Sequence, residues 1–255
     1  AINWTARTAA AANSWRSVTY GNGLFVAVSS DGTAMSSYDG ANWGASTTSF
    51  NEILLTVVYG NGKFVAGGSL DNRYIYTSSD GINWNEHYAS SLSLLEVDQI
   101  AYGNGKFAAV NYNDEGIATS IDGIVWTYHY ADTGSVGYTS IAYGDGLFVS
   151  GSASSGGLVA TSPDGIYWKI RNVPVDTVST IYADGMFVAV GVNSVMTSGK
   201  QDLISVNNNN TYQGGLKVYG ASQFISDANS TTAFSVQGNT GAKLLNIDTI
   251  NNIAI

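Results

Sequence analysis

The chain has no cysteine, two prolines, two histidines and few charged side chains. Without cysteine it can hold neither a disulfide framework nor a thiolate metal site. Charged residues make up 11% of its 255 residues, well below the usual share of roughly a quarter. With four arginines and a net charge of −9, it is not expected to bind nucleic acid or anionic lipid. No apolar run is long enough to span a bilayer. There is no signal peptide or initiator methionine, which favours a processed chain or an excerpt of a longer one.

One phrase occurs five times along the chain. It reads SVTYGNGLFVAV at 17–28, TVVYGNGKFVAG at 56–67, QIAYGNGKFAAV at 99–110, SIAYGDGLFVSG at 140–151 and STIYADGMFVAV at 179–190. The tyrosines of successive phrases are 39, 43, 41 and 39 residues apart. A period near 40, built from short β-rich pieces, is typical of propeller blades.

A second phrase follows the first four copies and ends in tryptophan. It reads SYDGANW at 37–43, SSDGINW at 78–84, SIDGIVW at 120–126 and SPDGIYW at 162–168. The Gly-Asn-Gly phrase predicts a hairpin of two strands, and the Asp-Gly phrase predicts a turn between a third and a fourth strand. Serine and aspartate can cap such a turn, and the tryptophan buries a large ring between neighbouring blades.

The second phrase resembles the Asp-box, or BNR-like, repeat of sialidase-type propellers, in a form one residue shorter between Asp and Gly. The residues that carry the resemblance are Asp39, Trp43, Asp80, Trp84, Asp122, Trp126, Asp164 and Trp168. Paired with the Gly-Asn-Gly phrase, the pattern also resembles propellers common in bacteriophage tail proteins. The resemblance covers roughly residues 1–200 and indicates fold far more than activity.

The fifth repeat stops at VMTSG, 195–199, and lacks its own Asp-Gly-x-x-Trp strand. The chain begins Ala1-Ile2-Asn3-Trp4, which matches the end of the second phrase at 41–43 and 82–84, and Trp4 lies 39 residues before Trp43. We therefore expect an all-β, five-bladed propeller over 1–200, in which the N-terminal strand pairs beside Met196 and closes the ring. The alternative is an array from which an N-terminal blade is missing.

Residues 201–255 contain no repeat and no tryptophan. Some short stretches alternate, such as Phe234/Val236 and Leu245/Ile247, between turns rich in Asn and Gly. The segment FSVQGNTGAKLLNIDTINN is similar to β-strand repeats of trimeric phage tail fibres. The resemblance implies a shaft through which the chain forms a homotrimer, because so short a segment cannot bury a robust core alone. The alternative is a flexible tail with a little β-structure, and the apolar end at 253–255 suggests that more shaft follows.

Propeller topology sorts the connections between strands onto two faces, and the longer, more variable ones share a face. Tyrosines cluster in these variable segments with both histidines and two arginines. The candidate ligand-binding residues are Arg73, Tyr74, His87, Tyr88, Tyr112, Asp114, Tyr128, His129, Tyr130 and Arg171, with Tyr138 nearby. Aromatic rings beside Asn, Asp and Arg suit sugar recognition, although each tyrosine could equally pack beneath its own loop.

Catalysis is the alternative reading of the same segments. Four scattered arginines cannot form the carboxylate-binding cluster of a sialidase, so that activity is not expected. A generic glycosidase needs two carboxylates, which could come from Asp71, Asp98, Asp114, Glu115, Asp132, Glu86 or Glu96. His87 with His129, or Asp114 and Glu115 with Asn111 and Asn113, could in principle hold a metal ion. Their spacing matches no known site, so neither a metal nor a cofactor is expected.

These observations predict a non-enzymatic fibre or adhesin protein, whose propeller head binds a surface glycan or protein and whose shaft forms a homotrimer. Asn/Ser/Thr/Gly-rich chains without cysteine are frequent in virion and cell-surface fibres, so we expect a virion or other extracellular location. Other virion subunits are expected partners; nucleic acid and membrane insertion are not. The alternatives are a tailspike-like glycan hydrolase and a purely structural fibre or decoration subunit.

Overall fold

A computed structural model describes residues 3–46, 50, 52–69, 73–89, 96–113, 115–130, 137–152, 157–174, 176–191 and 194–198, with the backbone of three short strands after residue 233. The chain divides into two compact units, Ala1–Ile204 and Ser205–Ile255. The described residues form no helix that is both long and apolar enough to cross a membrane. The first unit is all-β, as the repeats predict.

The first unit holds five antiparallel sheets, which are the five blades of a β-propeller. The first strands of blades one to five are β1 (Trp15–Gly21), β5 (Ile53–Gly60), β9 (Gln99–Gly103), β13 (Ser140–Gly144) and β17 (Ser179–Ala183). The second strands are β2 (Leu24–Ser29), β6 (Lys63–Ser69), β10 (Lys106–Val110), β14 (Leu147–Ser152) and β18 (Met186–Gly191). The third strands are β3 (Ala34–Ser37), β7 (Tyr74–Ser78), β11 (Gly116–Ser120), β15 (Leu158–Ser162) and β19 (Ser194–Thr197).

Blades one to four have a fourth strand, and blade five is described with three. The fourth strands are β4 (Gly44–Ala45), β8 (Asn85–Tyr88), β12 (Thr127–Tyr130) and β16 (Lys169–Asn172). In every blade each strand pairs with the next one along the chain. The first strands of consecutive blades lie beside one another, β1 with β5 and so on to β13 with β17, so they form the inner strands of the array.

The turn between the first two strands has the geometry that its sequence predicts. Its asparagine or aspartate has φ between 47° and 51° and the glycine that follows has φ between 73° and 77° in all five blades. Two successive positive φ angles are the mark of a tight hairpin turn whose twist matches that of the strands. Asn, Asp and Gly tolerate this conformation better than other residues do.

Four apolar cores lie between consecutive blades. In the first, Leu24, Val26 and Val28 of blade one pack against Phe64 and Trp84 of blade two. The same arrangement recurs between blades two and three, three and four, and four and five. Each blade therefore has a front face that packs on the next blade and a rear face, bearing the repeat tyrosine and phenylalanine, that packs on the one before.

The predicted closure by the N-terminal strand is wrong. Residues 3–14 belong to no strand, and Trp4 is 95% exposed rather than paired beside Met196. Residues 6–10 instead border Trp43 of blade one. The segment contains four consecutive alanines at 9–12, and alanine is depleted in strands. Trp4 thus occupies the expected position in the repeat, but its segment does not form the fourth strand of blade five.

The second unit includes the antiparallel strands β20 (Phe234–Gln237), β21 (Lys243–Asp248) and β22 (Ile253–Ala254), in that order in one sheet. The shaft and homotrimer predicted for 201–255 rest on side chains and connections that lie outside the described residues.

Candidate binding surface

Hydrogen bonds between blades show which connections share a face. The side-chain amide of Asn61, in the hairpin turn of blade two, donates to the carbonyl of Ile121 in the Asp-Gly turn of blade three at 3.0 Å. Asn104 bonds Pro163 in the same way at 3.1 Å. We call the face formed by these two kinds of turn the turn face.

The remaining connections lie at the opposite ends of the strands, on what we call the loop face. They join the second strand to the third within a blade, and each blade to the next. A backbone bond links the two kinds of connection: the N–H of Tyr138, ahead of blade four, donates to the carbonyl of Asn111 in blade three at 2.9 Å. Phe50 bonds Gly32 at the junction of blades one and two, also at 2.9 Å.

On the turn face, the Asp-Gly turns are held by their own serine and aspartate. In blade three the Ser120 hydroxyl donates to Asp122 Oδ1 at 3.0 Å and accepts the N–H of Gly123 at 2.8 Å. Asp122 Oδ1 also accepts the N–H groups of Ile124 and Val125 at 2.8 and 2.9 Å. The turns of the other three complete blades repeat this pattern around Asp39, Asp80 and Asp164.

These hydrogen bonds keep the turn aspartates ionised. The N–H groups of Asn42 and Ala41 hold the pKa of Asp39 far below its ordinary value, and Asn83 does the same for the pKa of Asp80. At Asp122, burial acts to raise the pKa, but the N–H groups of Val125 and Ile124 together outweigh it and the pKa is lowered. Carboxylates that accept several backbone N–H groups serve the turn, and none is suited to be a general acid.

In blades one, three and four, the tryptophan that ends the Asp-Gly turn is hydrogen-bonded to that turn. The indole N–H groups of Trp43, Trp126 and Trp168 donate to the carbonyls of Gly40, Gly123 and Gly165 at 3.2, 3.2 and 3.0 Å. Each ring also lies 6.3 to 6.5 Å from the phenylalanine of its second strand. The tryptophan rings therefore belong to the rear faces of their blades and form part of the scaffold.

In blade two, the candidate residues lie at the loop-face end of the outer strands. The rings of Tyr74 and Tyr88 pair edge to face across β7 and β8 with centroids 5.5 Å apart. Tyr74 packs against the core between blades one and two, whereas Tyr88 is exposed. Arg73, which precedes β7, has a φ of 56° and its carbonyl accepts the N–H of Ala89. Of these two rings, Tyr88 is thus the more accessible one.

Blade three repeats this arrangement one blade further on. Tyr128 packs against the core between blades two and three, whereas Tyr130, the last residue of β12, is exposed. The Tyr130 hydroxyl donates to the carboxylate of Glu115. A ring held by a neighbouring carboxylate is well placed to stack on a ligand while the carboxylate accepts a ligand hydroxyl.

His87, His129 and Arg171 occupy equivalent positions in three successive blades, which their separate sequence contexts did not reveal. Each of these side chains, in a fourth strand, contacts a threonine of the third strand in the same blade. His87 Nε2 lies 2.8 Å from Thr77 Oγ1, and His129 Nε2 lies 2.7 Å from Thr119 Oγ1. The Arg171 Nε donates to Thr161 Oγ1 at 3.3 Å. These bonds hold the third and fourth strands together, so the three residues serve the blade rather than one shared pocket.

Both histidines are kept neutral near pH 7. Burial lowers the pKa of His87, and the charge of Lys63 lowers it further, against the opposing charge of Asp122. At His129, burial and Lys106 lower the pKa, with Asp164 opposing. Within the described part of the chain, no three His, Asp or Glu side chains come together as a metal ion would require.

The remaining candidates differ in accessibility. Tyr112 is exposed on the loop face and its N–H donates to Asp98 Oδ2 at 2.6 Å. Tyr138 is fully buried, because it enters the junction of blades three and four just as Phe50 enters that of blades one and two. Its position before the first strand of a repeat is the signal that could have predicted this. Asp114 lies outside the described residues.

Of the carboxylates considered for catalysis, the structure describes Glu86, Glu96, Asp98 and Glu115. Burial raises the pKa of Asp98, with Glu96 adding to the effect and the N–H of Tyr112 opposing it. Glu86 accepts the hydroxyl of the buried Tyr76 at 3.3 Å, and burial, then Glu52 and Glu86, raise the pKa of that tyrosine. Asp71, Asp114 and Asp132 lie outside the described residues.

Sequence reasoning missed one cleft on the turn face. It has a volume of about 510 Å³ and lies between residues 6–10 and the end of the first Asp-Gly turn, with Arg7, Asn42 and Trp43 among its lining residues. The signal for it was Trp43 of blade one, which lines the cleft opposite residues 6–10. The cleft is shallow and mainly polar, so the exposed tyrosines of the loop face remain the better candidate.

No family model matches the chain, and no curated protein matches it either. Solved structures of β-propellers do. It is similar to the structure of streptogramin B lyase at 9% identity and a TM-score of 0.60, covering 69% of this chain and 61% of that one. It is also similar to the WD40 β-propeller domain of Doa1 (13%, TM-score 0.56, 73% and 64%) and to YCF48 bound to D1 peptide (14%, 0.57, 74% and 66%). The chain thus spans about three fifths to two thirds of the length of these propellers, and the likeness shows its fold: a β-propeller.

Proposed function

We propose that this protein is a binding module, not an enzyme, and that it recognises a surface glycan or protein through the loop face of blades two and three. The observation that carries the proposal is the exposure of Tyr88, Tyr112 and Tyr130 at one end of two adjacent blades. A propeller fold is consistent with binding, since it offers loops on a rigid scaffold.

The chemistry of these residues supports a glycan as the ligand. A tyrosine ring can cover the apolar face of a pyranose at little cost in conformational entropy, because only two side-chain torsions become fixed. Glu115 beside Tyr130 supplies a hydroxyl acceptor. Arg73, Asn113 and Asp98 add donors and acceptors at the same ends of the blades.

The setting that we propose is a fibre or adhesin on a virion or another extracellular surface. Residues 201–255 would join three copies, other fibre subunits would adjoin them, and several heads would bind together with greater strength than one. The support is the likeness of the repeats to Asp-box propellers of phage tail proteins and of the tail to trimeric fibre repeats. The low cation content argues against nucleic acid and membrane insertion as targets.

A glycan array probed with the full chain tests the proposal. The Tyr88→Ala/Tyr130→Ala double variant is expected to lose most of the signal, because both stacking rings are removed. The matched control is Tyr38→Ala/Tyr167→Ala, since these tyrosines are at least as exposed but lie in Asp-Gly turns on the turn face. The control is expected to bind as the unmodified chain does.

Two outcomes would contradict the proposal. Equal binding by both double variants would remove the loop face of blades two and three from recognition and leave a structural fibre subunit as the better reading. Release of reducing ends from a polysaccharide panel would make the protein a glycan hydrolase instead.

A further inference from the structure

The four junctions between blades share one close contact. The inner-strand tyrosine of each following blade lies flat on a glycine of the blade before it. A Cβ atom at Gly21, Gly60, Gly103 or Gly144 would lie 1.9 to 2.2 Å from the Cγ atom of the next blade's tyrosine, Tyr59, Tyr102, Tyr143 or Tyr182. No side chain larger than hydrogen fits at this contact without moving a ring, so glycine is a requirement of the junction.

Hydrogen bonds accompany the glycine contact. The N–H of Val57 in blade two donates to Ser17 Oγ of blade one at 3.2 Å. The equivalent bond from Ile100 reaches Thr56 Oγ1 at 3.2 Å, and that from Ile141 reaches Gln99 Oε1 at 2.7 Å. At the junctions of blades two with three and three with four, Asn61 and Asn104 also donate to the Asp-Gly turn of the following blade.

The rear face of blade one carries every feature of a face that receives such a junction. It has the tyrosine, the phenylalanine and the tryptophan in contact, with Tyr20 and Phe25 centroids 4.6 Å apart. It also has a complete Asp-Gly turn. Yet Tyr20 is 59% exposed and Val18 is 62% exposed, whereas Val57, at the position of Val18 in blade two, is 5% exposed.

The front face of blade five cannot supply the partner. Alanine stands at 183 where the other four blades have glycine, and Asp184 stands where a donor asparagine would be. The side chains of Ile181, Val190 and Val195 make this face apolar and exposed, but the Ala183 methyl group would strike the Tyr20 ring. Blade five therefore does not fit blade one by the contact that joins the others, in the same chain or in a second copy.

We propose that the rear face of blade one is the docking surface for a further blade of this same repeat, one that has glycine after its inner-strand tyrosine and leads into blade one through Trp4. Trp4 precedes Ser17 by 13 residues, as Trp43 precedes Thr56, which is the spacing by which one blade passes into the next. The exposed Trp4 stands at the position that ends the second phrase in blades one to four.

A fusion tests this directly. Residues 97–126 of the third repeat replace residues 1–4 of the full chain, so that the added tryptophan takes the place of Trp4. Chemical modification of tyrosine, followed by peptide mass spectrometry, reports on Tyr20, with Tyr167 as an exposed internal reference. We expect modification of Tyr20 to slow severalfold and the midpoint of thermal unfolding to rise. The matched control carries alanine at the position of Gly103 in the added copy alone, and should show neither effect.

Each other result counts against the proposal. If the fusion leaves Tyr20 as reactive as before, or if the control protects it equally, the rear face of blade one does not receive a blade by the glycine contact. If Tyr20 is already protected in the unfused chain, sedimentation decides the occupant. A dimer would make it a second copy, and a monomer would mean closure of blade five on blade one.

Discussion

A single aspartate organises each turn between the third and fourth strands. Asp122 accepts two successive N–H groups and the hydroxyl of Ser120, so one side chain replaces the hydrogen bonds that the backbone of a tight turn cannot make to itself. This explains why the Ser-x-Asp-Gly spacing recurs while the residues between Gly and Trp vary.

Replacing Asp122 by alanine is expected to reduce the free energy of unfolding by about 1 to 2 kcal/mol, because two N–H groups and a hydroxyl lose their acceptor. Urea denaturation measures the change. Asn in place of Asp122 keeps the Oδ1 acceptor and is expected to cost less. Equal losses for the two variants would mean that charge, rather than the accepting oxygen, holds the turn.

At this scale the sequence was a good guide to the turns of the scaffold and a poor guide to which of the candidate tyrosines are exposed. The Gly-Asn-Gly and Asp-Gly turns have strict local requirements on φ and on acceptor position, so their residues identify them. The exposure of a tyrosine depends on what lies above it in the folded chain. Tyr130 is exposed and Tyr138 is fully buried, although both belong to similar polar and aromatic stretches.

At the scale of elements, the inner strands make the contacts that hold consecutive blades side by side. The inner strands of blades one to four end at their turns with a glycine beneath the tyrosine of the next blade. This contact, with the apolar core beside it, joins two sheets that share no strand pairing. The blades were predictable because a period of about 40 residues with four strand segments has few other solutions. The place of the N-terminal segment was not predictable in this way. The position of Trp4 in the repeat indicates which motif the segment resembles, but not which strand it pairs with.

Gly103→Ala is expected to lower the thermal midpoint by several degrees, because the added methyl group forces the Tyr143 ring out of the core between blades three and four. Gly44→Ala is the control, since a Cβ there meets no atom within 4 Å. Adding Tyr143→Ala should make Gly103→Ala nearly neutral, a non-additivity that a double-mutant cycle detects. Additive losses in that cycle would show that the glycine does not act through the tyrosine.

For the whole molecule, the two half-buried histidines couple stability to pH. Their pKa values are lowered by burial and by Lys63 and Lys106, so the unfolded chain binds protons near the ordinary value of 6.5 while the folded protein does not. Stability is therefore full above that pH and is lost as the pH falls below it, toward the lowered values.

Between pH 7.5 and 5.5 the free energy of unfolding of the unmodified chain is expected to fall. The His87→Gln/His129→Gln variant should show a flatter profile over the same interval, because glutamine can still bond Thr77 and Thr119 but does not titrate. Chemical denaturation at a series of pH values measures both curves. Parallel profiles would show that the histidines are not the source of the dependence.

The interchangeable junctions have a consequence for how such a chain could change over generations. Blades two and three meet their successors through the same glycine, tyrosine and asparagine. A recombination between equivalent points of two neighbouring gene repeats would remove or add one whole blade and leave a junction with the same contacts. The array can therefore vary in length without new contacts having to arise. Among the described blades, blade five is the exception, because Ala183 stands where the glycine of the contact would be.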